Sequence, residues 1–236
     1  MTMVSETDNQ MARVAQSMSE LWLWLTDEQR QLLSGSMTMQ RYRKNDIIYH
    51  EGEAPVYFFC LLSGKVKIYK EGVGHRQQIV RMVRPHEFFG YRAGFVDVNY
   101  TTEASAFETT TLCKIPLPVI KQIIQENHQV AIFFIKELAS LLGNADENTV
   151  NLTQKHLRGR LAEALLRLKE SYGTEDDGRT LAIALSREDL ANLSNMTTSN
   201  AIRTLSSFAA EGIITIEGRR ISIVDEDELR KTSAIG

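Results

Sequence analysis

A change of hydrophobic pattern at Pro116 divides this chain into a strand-rich part and a helix-rich part. Before Pro116, short runs rich in Val, Ile, Phe and Tyr are separated by Gly, Asp, Asn and Pro, which is typical of strands joined by turns. Residues 65–69 alternate strictly between polar and apolar side chains, a pattern that favours a half-buried strand. The predicted strands are Asp46–Tyr49, Val56–Leu62, Lys65–Tyr69, Gln78–Val83 and Thr111–Ile115. Many short strands at close spacing predict an all-β barrel or roll rather than a parallel α/β sheet.

Beyond Pro116 the apolar residues follow a helical spacing. Pro118 suits the first turn of a helix, and a long helix is predicted from about Val130 to Thr153. Its apolar positions are separated by alternating steps of three and four residues, which define a heptad seam. The seam consists of Ala131, Phe134, Leu138, Leu141, Ala145, Asn148 and Leu152.

The same helix has a second apolar side, formed by Ile132, Phe133, Ile135 and Leu142. One interpretation is a helix that lies only on the β domain of its own chain. A helix that is apolar on two sides needs two partners. We therefore interpret the second side as the contact with the roll, and the seam as the contact with a twin helix in a homodimer.

Two short helices are predicted near the C-terminus. Ser186 caps the first, with Asp189 completing an approximate capping box, and Asn195 suits the left-handed backbone of a tight turn. Thr197 or Thr198 caps the second helix. The predicted inner side of that helix is Ala201, Ile202, Leu205 and Phe208. This arrangement describes a helix-turn-helix, and the β-rich runs around a glycine turn that follow it form a hairpin, the wing.

The outer side of the second helix predicts DNA binding. An α-helix fits the major groove, where arginine bonds to guanine and short polar side chains bond to base edges or phosphates. The helix N-terminus adds free N–H groups. The predicted DNA-binding residues are Arg187, Thr197, Thr198, Ser199, Asn200, Arg203, Arg219 and Arg220. Arg203 is the expected base reader. The alternative is that the helix-turn-helix serves only for packing and that its outer side is an ordinary solvated face. Arg219 and Arg220 in the wing, together with the position of Arg203, disfavour this alternative.

Composition narrows the classes of protein. A chain of 236 residues is long enough for two domains, and the absence of 18 consecutive apolar residues predicts no membrane span. Residues 1–10 do not read as a secretory signal. Cys60 and Cys113 offer neither a disulfide framework nor a metal cluster, so a cytoplasmic location is expected. No catalytic motif occurs at a usable spacing, so an enzyme is not expected.

Several motifs in fixed order give the chain a family resemblance. They are Gly52 and Gly64, residues 85–90 (Pro-His-Glu-Phe-Phe-Gly), residues 158–162 (Arg-Gly-Arg-Leu-Ala), residues 185–191 (Leu-Ser-Arg-Glu-Asp-Leu-Ala) and residues 196–205. Over about residues 25–225 the chain resembles the cAMP receptor protein/fumarate-nitrate regulator (CRP/FNR) superfamily of bacterial transcription factors. The resemblance implies an α+β fold and contact with RNA polymerase. The predicted domains are a flexible N-terminus (1–20), a cyclic-nucleotide-binding-like β-roll or jelly roll (21–128), a dimerisation helix (129–153) and a winged helix-turn-helix (154–236).

The resemblance also implies an effector pocket, and this chain departs from the family's pattern there. The candidate pocket residues are Gly90, Tyr91, Arg92, Tyr100, Thr101, Thr102, Ala145 and Asp146. Tyr91 stands where the family has its ribose-binding Glu, and Tyr100 where it has its phosphate-binding Arg. A phosphate without an arginine partner loses a charge-assisted bond, so cAMP is not the expected effector. The pocket could take another small molecule, or the two tyrosines could fill it.

Other effectors find little support in the sequence. An iron–sulfur cluster needs more thiolates than two cysteines supply. Haem would need an axial ligand, and the candidates, each interpreted as a surface or turn residue, are His50, His75, His86 and His128. The expected function is a homodimeric regulator that reads a pseudo-palindromic operator on double-stranded DNA and responds to an effector other than cAMP. The alternatives are an effector-independent regulator with an occluded pocket and a haem- or redox-responsive sensor.

Overall fold

A computed structural model describes residues 14–15, 17–18 and 20–235. These residues form two compact units. The first contains the described residues up to Glu71 together with Val80–Ser140, and the second contains Gly72–Ile79 and the described residues from Leu141 onward. The fold combines helices and sheets, so the predicted α+β class is confirmed. The domain boundary after residue 153 stays a prediction.

The first unit is a β-roll with helices at both of its chain ends. Among its described residues the strands form two four-stranded sheets, ordered β1-β8-β3-β6 and β2-β7-β4-β5. The strands are β1 (Thr38–Tyr42), β2 (Ile47–Tyr49), β3 (Tyr57–Ser63), β4 (Val66–Glu71), β5 (Gln77–Val83), β6 (Phe88–Phe89), β7 (Glu103–Ala106) and β8 (Thr110–Pro116). Its helices are α1 (Asp27–Ser36), α2 (Arg92–Phe95) and α3 (Leu117–Glu126), and the long α4 (His128–Gln154) begins in this unit. A 3-10 turn, Val73–His75, belongs to the second unit. The five strands predicted from the sequence are all present.

Strand β3 shows why this part of the chain folds as a roll. Successive side chains of a strand point to opposite faces, and β3 is buried on both. Phe58 and Cys60 pack with residues of α1, α3 and α4, whereas Phe59 and Leu61 pack with residues of the second sheet. The sheet that contains β3 therefore separates two hydrophobic cores.

Part of the N-terminal segment that was predicted to be flexible is helical and packed. Residues 1–13 of the predicted flexible segment lie outside the described residues. Val14 and Met18 are helical and buried in the core beside α1 and α3, so the packed part of the chain begins before the predicted boundary at residue 21. Thr26 caps α1 in a capping box with Gln29.

The structure assigns the two faces of α4 differently from the prediction. Phe134 is 3% exposed and lies in the same core as Phe58, and Leu138 packs against that core. Ile135 and Leu142, which were predicted to contact the roll, are each 64% exposed. The heptad spacing does not reveal which partner each face meets, because both faces are apolar. Of the other predicted seam residues, Ala131, Leu141, Asn148 and Leu152 are half-buried and Ala145 is exposed.

The second unit is built around the buried face of a helix. Its elements are α5 (Leu157–Tyr172), α6 (Arg187–Leu193), α7 (Thr198–Ala210), the hairpin strands β9 (Ile214–Glu217) and β10 (Arg220–Ile223), and α8 (Glu226–Ile235). Leu161, Leu165 and Leu168 of α5 are buried. Residues of the later elements are buried as well, among them Leu190, Leu205, Phe208, Ile221 and Leu229.

A carboxylate network ties α5 to α8 and to the end of α4. Glu163 accepts hydrogen bonds from Ser233 Oγ at 2.6 Å, from Arg167 Nε at 2.8 Å and from Lys155 Nζ at 3.1 Å. Arg167 also donates to the side chain of Asn148. Burial disfavours the charged carboxylate, but the bonds from Ser233, Arg167 and Lys155 outweigh it and lower the pKa of Glu163 to about 2.

Replacing Glu163 by glutamine should destabilise the protein by about 1–2 kcal/mol at pH 7, because three donors lose their charged acceptor. The folded-state pKa lies below the ordinary value of 4.5. The stabilisation is therefore complete above pH 4.5 and is lost as the pH falls towards 2. Urea unfolding of the wild type and of the Glu163→Gln variant, at pH 7 and near pH 3, measures the difference between their free energies of unfolding. Glu170→Gln, on the exposed side of the same helix, is the control, and an equal difference at both pH values would contradict the prediction.

Candidate nucleic-acid interface

Helices α6 and α7 form the predicted helix-turn-helix, and each is capped as expected. The Ser186 hydroxyl accepts from the Asp189 N–H at 3.0 Å and donates to the Asp189 carboxylate at 2.6 Å. Asn195 in the turn has a φ of 49°. Thr197 caps α7 by accepting from the Asn200 N–H at 3.2 Å. These contacts fix the start of α7, whose first turn carries no acidic residue.

The first half of α7 presents its polar side chains to solvent. Thr197, Thr198, Ser199 and Arg203 are exposed, and Asn200 is half-exposed. The Arg203 guanidinium donates to the Asn200 side-chain oxygen within the same helix. Since a helix turns by about 100° per residue, Arg203 lies nearly opposite the buried residues Ala201, Leu205 and Phe208. Arg203 is therefore free of the protein interior and positioned on the outer side.

The wing arginines differ in their surroundings. Arg219 is exposed in the turn between β9 and β10. Arg220 is also exposed but pairs with the carboxylate of Glu175. Arg187, at the start of α6, donates from Nη2 to the carbonyl oxygen of Gly218 at 2.9 Å and is half-buried. Arg187 thus joins the first helix to the wing turn, a structural contact that the sequence did not indicate.

Arg158, the first residue of the motif at residues 158–162, contacts the C-terminal end of α7. Arg158 donates to the Glu211 carboxylate and to Ser207 Oγ at 2.7 Å, and its guanidinium lies 4.7 Å from the centre of the Phe208 ring. The hydrogen bonds from Arg158 and Ser207 lower the pKa of Glu211 to about 2. These contacts hold the C-terminal end of α7 against α5.

Ile202 lies on the exposed side of α7, contrary to the prediction. It was predicted on the inner side of α7, but it is 46% exposed, whereas Ala201, Leu205 and Phe208 are buried. The signal was available in the helical spacing: at about 100° per residue, Ile202 points roughly a quarter turn away from the mean direction of the other three. Ile202 therefore belongs to the exposed side that also carries Arg203.

The two tyrosines of the candidate effector pocket lie in different cores. Tyr91 is 0% exposed and packs on the helix side of the first sheet with Phe58, whereas Tyr100 is 6% exposed and lies between the sheets. Tyr100 stacks on Tyr49 with ring centroids 3.8 Å apart. Tyr91 and Tyr100 thus do not line one common pocket, which corrects the prediction. The prediction failed because a position matched to a family motif does not show which way a larger side chain turns.

The remaining pocket candidates are scattered between exposed and constrained positions. Gly90 has a φ of 81°, and a Cβ atom there would lie 2.5 Å from the Phe59 ring, so no other residue fits. Thr102 hydrogen-bonds to buried Tyr49. Arg92, Thr101, Ala145 and Asp146 are exposed.

The two cysteines and the four candidate histidines do not form a common ligand site among the described residues. Cys60 and Cys113 face each other across β3 and β8, both as buried free thiols. Burial raises the pKa of Cys113 to about 12 and that of Cys60 further. The four candidate histidines are exposed, and the described residues contain no group of three or more His, Cys, Asp or Glu that could hold a metal ion. Among the described helices, none is long and apolar enough to cross a membrane.

Comparison with known proteins matches both halves of the chain. Residues 39–127 match the cyclic nucleotide-binding domain, and residues 159–232 match the Crp-like helix-turn-helix domain. The CRP-like cAMP-activated global transcriptional regulator of Mycobacterium tuberculosis is 24% identical over 80% of this chain and 85% of its own length. Regulatory protein HlyX of Actinobacillus pleuropneumoniae is 24% identical over 90% of both chains. The structure of FixK2 from Bradyrhizobium japonicum matches with a TM-score of 0.75 and 25% identity, over 83% of this chain and 96% of that one.

A nucleotide-binding-type roll followed by a winged helix-turn-helix defines a DNA-binding transcription regulator. The chain belongs to the CRP/FNR superfamily of such regulators, which confirms the resemblance inferred from its motifs. Its relatives are named as regulators rather than as enzymes.

Proposed function

We propose that the protein acts in the cytoplasm as a homodimer that reads a pseudo-palindromic operator on double-stranded DNA. The observation that carries this proposal is the exposed outer side of α7, where Arg203 faces away from the interior. In two-fold symmetric helix-turn-helix proteins, half-sites lie about one DNA turn, ~34 Å, apart. Arg203 would read guanine, with Thr197, Thr198, Ser199 and Asn200 beside it, and Arg219 and Arg220 would contact phosphates.

The exposed apolar face of α4 supports the dimer. Ile132 is 42% exposed, and Ile135 and Leu142 are each 64% exposed. Ile135 and Leu142 are seven residues apart and therefore lie on one side of the helix. A continuous apolar face of this kind is a contact surface for a second helix. The dimer face proposed here thus replaces most of the seam predicted from the sequence.

The aromatic packing between the sheets of the roll favours an effector-independent regulator over one that senses cAMP. Tyr49 stacks on Tyr100 between the sheets and also packs beside Phe59 and Phe89. A cyclic phosphate would meet Tyr100 where the family's pattern has arginine, and no charge-assisted bond would form. A redox role for the two cysteines has less support, because their raised pKa values keep them as thiols. Contact with RNA polymerase remains an expectation from the family.

Selection of bound DNA from a random pool tests the proposed function. The expected result is a palindromic consensus, and salt titration of that site should show a steep loss of affinity as phosphate contacts weaken. Protein refolded from denaturant without additives should bind the site at full affinity if no effector is needed. A pool without a consensus would overturn the proposal, and restoration of binding by a small molecule would overturn its effector-independent part.

Removal of the Glu175 carboxylate should strengthen DNA binding. Glu175 pairs with Arg220, and an exposed ion pair is worth at most about 1 kcal/mol. In the Glu175→Gln variant, Arg220 is released for a phosphate, so affinity should rise up to about fivefold per half-site and the salt dependence should steepen. Fluorescence anisotropy measures both. Asp176→Asn removes the same charge from the neighbouring residue and should have a smaller effect, and equal effects would contradict a specific role for the ion pair.

A further inference from the structure

The exposed side of α7 carries a large apolar side chain among short polar ones. Ile202 is 46% exposed. The residues four positions before and after it, Thr198 and Ser206, are its neighbours along the helix surface, and both are exposed. Their short side chains cannot cover the outer carbons of an isoleucine. Ile202 therefore offers an apolar surface within an otherwise polar face.

The position of Ile202 places it with the proposed base-reading residues. Ile202 is the fifth of the 13 residues of α7, directly before Arg203 and one turn after Ser199. The N-terminal residues of a recognition helix are those that reach base edges. Any DNA that Arg203 contacts from this side of the helix will also come close to the side chain of Ile202.

The chemistry of the major groove identifies what an isoleucine can read there. Most groups on the groove edges are hydrogen-bond donors or acceptors, and the apolar group is the C5-methyl of thymine. An aliphatic side chain pressed against a polar base edge would remove water from it without replacing the hydrogen bond, which is unfavourable. Contact with a thymine methyl instead buries apolar surface on both sides.

We infer that Ile202 is a specificity-determining residue that recognises the C5-methyl group of a thymine in each half-site of the operator. This inference rests on the proposed DNA-reading function of α7. It assigns to this chain a thymine requirement beside the guanine read by Arg203, and it explains why a large apolar residue stands exposed on this helix.

The test removes the methyl group from the DNA. In the selected operator, each thymine is replaced in turn by deoxyuridine, which differs from thymine only by that methyl. At one position per half-site the wild type should bind about fourfold more weakly, the effect of losing one buried methyl group. The Ile202→Ser variant should bind both DNAs equally, and Ile202→Val should retain part of the difference.

Val224→Ser is the matched control, because Val224 is an apolar residue of the same unit that is 44% exposed. This variant should keep the full response to deoxyuridine. Equal thermal unfolding of the variants checks that they are folded. A wild type that selects a consensus but responds to no deoxyuridine, or an Ile202→Ser variant with an unchanged response, would overturn this inference alone. A wild type that selects no sequence would overturn the proposed function and this inference with it.

Discussion

Replacing Arg203 by alanine should weaken binding of the selected operator by about 1–3 kcal/mol per half-site and relax its sequence preference. The guanidinium is exposed on the outer side of α7, and its described contact is a hydrogen bond to Asn200 in the same helix. The free protein therefore loses little when the side chain is removed. The loss of binding free energy should therefore come from contacts made in the DNA complex, and both half-sites contribute to it.

Two control variants separate base reading from charge. Arg203→Lys keeps the charge but loses the planar fork that bonds bidentately to guanine, so it should resemble alanine in specificity. Arg219→Ala removes an exposed wing charge and should weaken specific and random DNA by similar factors. Anisotropy titrations on the consensus, on a site mutated at the guanine and on random DNA measure these differences. An equal loss for Arg203→Ala on consensus and random DNA would show that Arg203 contacts phosphates.

The local pattern was sufficient to predict most elements of the fold. Strict alternation over residues 65–69 identified β4, and the caps at Ser186 and Thr197 marked the starts of α6 and α7. β7 escaped prediction because its sequence, Glu-Ala-Ser-Ala, lacks the β-branched and aromatic residues of a typical strand. Its pairing with β4 and β2 is a tertiary effect that a local pattern does not contain.

The sequence was less informative wherever a side chain had two available environments. The heptad spacing of α4 identified apolar positions, but it placed Phe134 in a dimer seam. In the structure, Phe134 packs against Phe58 and Tyr91 of its own chain. Alignment with a family motif placed Tyr91 and Tyr100 in one pocket, although they lie in separate cores. In each case the competing partner belongs to a distant part of the chain. Spacing alone cannot rank two such partners.

The apolar face of α4 leads to the largest effect that we expect. Introducing Ile135→Glu and Leu142→Glu together should convert the protein to a monomer and lower operator affinity by more than about 100-fold. Two symmetry-related helices would each bring two carboxylates into the proposed dimer interface, where they would be desolvated and close to like charges. A monomer reaches one half-site only, and the affinity contributed by the second recognition helix is lost.

Sedimentation equilibrium should therefore give the mass of one chain for this double variant and of two chains for the wild type. Each substituted side chain is 64% exposed in the single chain, so the fold of the protomer should survive, which circular dichroism would verify. Val96→Glu with Val98→Glu is the matched control, because those residues are 68% and 47% exposed on the roll, away from α4 in sequence. A double variant that stayed dimeric with unchanged DNA affinity would place the dimer contact elsewhere. Loss of DNA binding by the control pair to the same degree would show that added negative charge, rather than the face of α4, causes the effect.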